Sequence, residues 1–207
     1  MNSNIKLLQK KLKVDTIILW IVCILFGIAI LSNVEKIIEY SQMNSSSFEV
    51  KIAPTDTVNH TDNYYLYIND EQYYPVDYNN YMRLDDTGNM NVKANIIMDN
   101  VNGIVRSILM EIIFILLYIM LLQVKRGLTP FSRKCVSILR RVAIFSFLLA
   151  LLPKIVDIAG SIIIFQCITI SFSSLIFYII SIGVVFGILS EIFKFGCELQ
   201  EDVDQIA

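Results

Sequence analysis

Between Asp157 and Glu191 this chain carries no charged residue. So long an uncharged stretch excludes an ordinary soluble surface, where about a quarter of residues are charged. It is too long for one bilayer crossing of roughly 20 residues, and fits two crossings joined by a tight turn near Gln166–Ser174. Charge is scarce throughout, at 17% of the 207 residues against 55% hydrophobic. Histidine is reduced to His60, which reads as a solvated loop residue. The four cysteines, Cys23, Cys135, Cys167 and Cys197, form no CxxC pair, and none lies between residues 35 and 103. That argues against a structural disulfide and leaves zinc without a ligand set. HExxH, GxSxG and a glycine-rich phosphate loop are missing, and no segment has room for a nucleotide-binding domain. The expectation is a protein that is not an enzyme, with no cofactor and no metal.

What is present is apolar sequence in four runs: Thr16–Val34, Ile104–Val124, Val142–Phe165 and Ile170–Phe193. Helices this apolar all round would need complete burial in a soluble protein. The fold class expected is an all-α polytopic membrane protein with four transmembrane helices and a small β-rich extracytoplasmic insertion between helices 1 and 2. The sparse charges agree on a direction. Residues 1–13 hold Lys6, Lys10, Lys11 and Lys13 without an acid. The stretch 125–141 holds Lys125, Arg126, Arg133, Lys134, Arg140 and Arg141, again without one. Residues 35–103 hold eleven acids and four bases. Because basic segments stay in the cytoplasm, both termini are expected inside and 35–103 outside, in the cell (plasma) membrane. The domains expected are 1–34 (inner terminus and first span), 35–103 (outer segment), 104–124, 142–165 and 170–193 (spans), 125–141 (basic loop) and 194–207 (acidic tail). The first apolar core exceeds the roughly 7–15 residues of a signal peptide and no A-x-A-like site follows it, so it reads as an uncleaved anchor.

The outer segment alternates like a sheet. Phe48, Val50 and Ile52 alternate with polar residues, and two tyrosine-rich stretches, Tyr64–Ile68 and Glu71–Val76, flank Asn69-Asp70 as a hairpin turn. Met90, Val92, Ala94 and Ile96 alternate with Asn91, Lys93 and Asn95 and predict a further strand, after turn chemistry at Asp85–Asn89. Three to five strands are expected. So small a unit buries little surface by itself and must lean on the helix ends, the membrane or a second copy. Eight of the ten tyrosines lie between Tyr40 and Tyr81, which suits strand propensity and an interfacial position, and also a recognition surface.

Within the apolar runs, Glu111, Lys154 and Asp157 form a candidate intramembrane charge cluster. A charge at bilayer depth costs about 2.5–3.5 kcal/mol or more unless paired or hydrated. Glu111 lies about 10 Å into its span at 1.5 Å per residue, and Lys154 and Asp157 share a helix face beside Pro153. A pairing that fixes helix register and an ion or proton path both fit. Gly183, Gly187 and Ser190 supply small-residue spacing for close helix packing or a homodimer.

On the cytoplasmic side, the loop bases Arg133, Lys134, Arg140 and Arg141 and the tail acids Glu198, Glu201, Asp202 and Asp204 make a candidate interaction face. Loop and tail attract each other, while anionic lipid competes for the loop. The connection Gly127-Leu128-Thr129-Pro130-Phe131, the helix start Leu139-Arg140-Arg141 and the ending Gly196-Cys197-Glu198-Leu199-Gln200-Glu201 resemble the YoaS-like bacterial membrane proteins, a domain-of-unknown-function family. The resemblance covers the four helices and these signatures but not the outer segment, which is longer here. It implies a small four-helix protein without assigned activity, and a regulatory partnership with a helix-turn-helix protein.

Three functions follow. The first is a regulatory or sensory membrane protein that binds a cytoplasmic partner; the others are an immunity factor against a peptide toxin and a small transporter or channel subunit. The partners expected are the lipid bilayer, a cytoplasmic regulator protein and a second copy of the chain, with no direct nucleic-acid binding.

Overall fold

The computed structural model describes the backbone of residues 3–52, 64–76, 83–84, 88, 91–125, 132–166 and 174–206, and their side chains except at 3–11, 204 and 206. The order is α1 (Ser3–Gln42), β1 (Phe48–Ile52), β2 (Tyr64–Ile68), β3 (Glu71–Val76), α2 (Val92–Lys125), α3 (Arg133–Phe165) and α4 (Ser174–Ile206). All four helices contain a stretch long and apolar enough to cross a membrane. Their outward faces are apolar too: Leu31, Ile163 and Tyr178 are 70%, 79% and 68% exposed. Helices of 33 or 34 residues run about 50 Å, beyond a hydrocarbon core of about 30 Å, so their charged ends have room to stand clear of it. His60, most of the turn Asp85–Asn89, the connection 126–131 with Pro130 and Phe131, and the turn at 167–173 lie outside the described residues.

The chain forms two compact units, one from Met1–Ile30, Val105–Lys154 and Ser171–Ala207, the other from Leu31–Ile104 and Ile155–Ile170. In the second unit the three strands pair antiparallel in the order β1-β2-β3, with Phe48 opposite Ile68 and Val50 opposite Leu66. Asn69 and Asp70 adopt φ of 52° and 65°, the two positive values that a tight hairpin of this hand requires. Phe48, Leu66 and Ile68 turn to one face and pack on Tyr40 from the end of α1 and on Val92 and Ile96 from the start of α2. Tyr40 meets Phe48 edge-on at 5.6 Å. A sheet too small to stand alone thus takes its core from the helix ends that flank it.

The strand expected over Met90–Ile96 is instead the opening of α2. Val92 and Ile96 satisfy a period of two, but they are also four residues apart, one helical turn. Asn91 resolves the ambiguity. Its Oδ1 accepts the Ala94 N–H at 3.0 Å, the bond an N-cap makes, and the helix continues unbroken from there to Lys125. Lys93 then reaches across to cap α1, donating to the carbonyls of Ser41 at 2.9 Å and Met43 at 2.6 Å. The serine-rich stretch after α1 forms a short 3₁₀ turn at Ser45–Ser47.

In the first unit, Ile113 of α2 and Ile138 and Val142 of α3 make the buried centre, with Phe186 of α4 packed on it. Phe26 of α1 stacks on Phe114 at 5.6 Å. Gly183 lets α4 come close to α3: a Cβ there would lie 3.3 Å from Ser146 Cβ. This glycine therefore serves packing within the chain. Ser132 caps α3 by accepting the Cys135 N–H at 3.3 Å, and Gln166, at φ 48°, ends that helix in the left-handed region.

Candidate functional site

Three groups of polar side chains stand out against this apolar frame. In the sheet-bearing unit, Arg83 is the centre of the first. Its Nη1 donates to Ser161 Oγ at 2.7 Å and lies 3.5 Å from Asp157 Oδ1, and its guanidinium sits 5.9 Å from the Phe165 ring centre. Asp157, Ser161 and Phe165 are spaced four apart on α3 and so line one face. The Arg83 side chain is 8% exposed and that of Asp157 18%. A guanidinium suits this niche because it forks to two acceptors while its flat face lies against the aromatic ring.

The second group lies in the helical unit, where α2, α3 and α4 enclose a cavity of about 630 Å³. Its wall is apolar apart from Ser146, Arg106 and Lys154. The Ser146 hydroxyl is already committed to the Val142 carbonyl at 2.9 Å.

The third group joins the start of α3 to the end of α4. Arg133 donates through Nε and Nη2 to the two carboxylate oxygens of Glu201, at 2.9 and 2.7 Å. Arg140 donates to Glu191 at 2.6 Å, and Lys194 lies 3.7 Å from Glu198 on α4 itself. Cys135 and Cys197 are buried nearby. Arg133 is the first residue of α3, where the helix dipole disfavours a cation, and the two-pronged bond from Glu201 offsets that. These pairs are solvent-exposed, so their value lies in register more than in stability.

Of the residues singled out from the sequence, Arg133, Arg140, Glu198 and Glu201 fall together here, and Lys134, Arg141 and Asp202 are exposed on the same two helices. The Asp204 side chain lies outside the described residues. Glu191 joins the group as the partner of Arg140, which the sequence reading does not anticipate. Among the intramembrane charges, Asp157 takes Arg83, Lys154 shares the cavity wall with Arg106, and Glu111 is half-buried on α2. Sequence reasoning misses Arg83 and Arg106 as well. Away from the helices, Lys51 is held above the usual lysine range by hydrogen bonds from its ammonium to Glu49 and then Asp70. Among the described residues no group of three or more histidine, cysteine, aspartate or glutamate side chains could hold a metal ion.

No family model, no curated protein and no solved structure matches this chain.

Proposed function

We propose that this chain is a regulatory or sensory multi-pass membrane protein without catalytic activity, which samples the outside through its sheet and holds a cytoplasmic partner protein at the Arg133–Glu201 and Arg140–Glu191 pairs. One observation carries the reading. A single helix, α3, bears the Arg83 niche at Asp157, Ser161 and Phe165 and the arginines of the paired face at its other end. Between them lies Pro153, which removes one backbone hydrogen bond and gives the helix a place to bend. A change of contacts around the sheet therefore has a covalent route to the exposed ion pairs. Those pairs suit exchange: exposed to water, each holds only weakly, so a partner with its own carboxylates can displace Glu191 or Glu201. Two of the stretches that resemble the YoaS-like proteins, Leu139–Arg141 and Gly196–Glu201, fall on the same two helices, and a regulator of the helix-turn-helix kind is the partner that the resemblance suggests. Tyr73 and Tyr74, exposed on the edge strand β3, offer the outer contact surface.

The test is capture from the native cell. Wild-type chain should crosslink to a cytoplasmic protein, and Arg140→Glu with Arg141→Glu should release it while membrane insertion stays unchanged. Recovering no cytoplasmic protein, while bait on residues 48–76 captures an extracellular peptide, would replace this reading with the immunity one.

A further inference from the structure

Two thiols lie beneath the paired face of α3 and α4. Cys135 and Cys197 are free, and only 1% and 6% exposed. Arg133 meets Glu201 and Arg140 meets Glu191, so the two helices run antiparallel there, and each cysteine falls between the ion pairs on its own helix. The two sulfurs are near enough that a Cys135 thiolate would push the Cys197 thiol up. Cys197 also lines a cavity of about 320 Å³, with Arg133, Arg140, Lys194 and Glu198 on its wall. Cys135 stays behind that wall, next to Val136. We propose that Cys135 and Cys197 are a reversible redox pair, in which hydrogen peroxide entering this cavity oxidises Cys197 and Cys135 then closes a disulfide that pins the end of α4 to the start of α3.

The Cys197 thiol gives up its proton to water, and its sulfur attacks one peroxide oxygen. The O–O bond breaks, leaving a sulfenic acid on Cys197 and a hydroxide that is protonated to water. The Cys135 sulfur then attacks the sulfenic sulfur, the S–O bond breaks, and a second water leaves with the Cys135 proton. Two electrons pass from the two thiols to the peroxide. Burial first, and then the Glu201 carboxylate, hold the Cys197 thiol above its ordinary range, against the opposing pull of Arg133. Only the thiolate attacks, so the pair is slow and answers to sustained oxidation. A metal ion is the rival occupant of two such thiols. Among the described residues no third histidine, cysteine, aspartate or glutamate completes a metal site with them, which leaves a tetrahedral ion short of ligands. On the cytoplasmic side that the proposed function requires for these helix ends, the thiol pool reopens the bond by exchange once the oxidant is gone. No partner protein is needed for either step.

The test treats membranes carrying the full chain with excess hydrogen peroxide, alkylates the remaining thiols and reads the digest by mass spectrometry. The peptide pair joined through Cys135 and Cys197 should rise about tenfold over untreated membranes and disappear on reduction with dithiothreitol. Cys135→Ser removes the thiol that closes the bond, so dimedone should trap a sulfenic acid on Cys197, whereas Cys197→Ser should leave Cys135 unlabelled. Absence of the Cys135–Cys197 pair from oxidised wild type would overturn the proposal. Its equal formation in chain unfolded before oxidation would also overturn it, because the bond would then owe nothing to the register of α3 and α4.

Discussion

Arg83 and Ser161 are 78 residues apart in the chain, yet the arginine donates a 2.7 Å hydrogen bond to the serine and keeps Asp157 within 3.5 Å. This contact ties the segment after the sheet to α3 by a charge that is almost fully enclosed. It also alters which charge removal should matter most. Arg83→Met should cost about 3 kcal/mol, because it takes a cation away from a largely buried carboxylate, whereas Arg83→Met with Asp157→Leu should recover most of the loss. Thermal unfolding in detergent measures both. Equal losses from the single and double variants would show that the two residues are not coupled.

The Arg133–Glu201 pair is bidentate but exposed, so its effect should be small and specific. Arg133→Glu should lower stability slightly, and the exchange Arg133→Glu with Glu201→Arg should restore it. Raising salt to about 1 M should shrink the difference, since exposed pairs are screened. The same recovery from pairing Arg133→Glu with Glu191→Arg would contradict the observed register.

Asn91 and Lys93 close two helices from one short stretch. Asn91→Ala should cost about 1 kcal/mol and Asn91→Asp close to nothing, because an aspartate caps equally well. Circular dichroism melts of the two variants provide the measurement, and matching losses would show that the cap bond is not what starts α2.

Gly160 accepts the side chain of Met98 so closely that a Cβ would collide with its sulfur. Gly160→Ala should therefore destabilise by about 1–3 kcal/mol, and adding Met98→Ala should relieve the strain part of the cost represents. If the second change adds to the loss, the close approach is not the cause.

Much of the fold is legible in residue order because its signals are local. Phe48, Val50 and Ile52 alternate, Asn69-Asp70 accommodates the positive φ of the hairpin, and the four apolar runs mark the helices. The start of α2 is misread because Val92 and Ile96, four residues apart, fit both periods, and only the Asn91 cap and the continuation decide. Arg83 escapes for a different reason: its partners are brought together by tertiary structure, and nothing adjacent to it signals α3. Arg106 is hidden inside an apolar run, where a hydrophobicity pattern outweighs one charge. On the paired face, opposite charge predicts attraction between loop and tail but carries no register. Glu191 borders the apolar run, and nothing beside it in the sequence points to Arg140 as its partner.

The proposed function requires the sheet on the outer side of the membrane and the Arg133–Glu201 face in the cytoplasm. Fusion of alkaline phosphatase, which is active only outside the cytoplasm, tests this most directly. Fusion after Tyr67 should give an active enzyme and fusion after Ser132 an inactive one. An inactive fusion after Tyr67 with an active one after Ser132 would invert the topology and contradict the account.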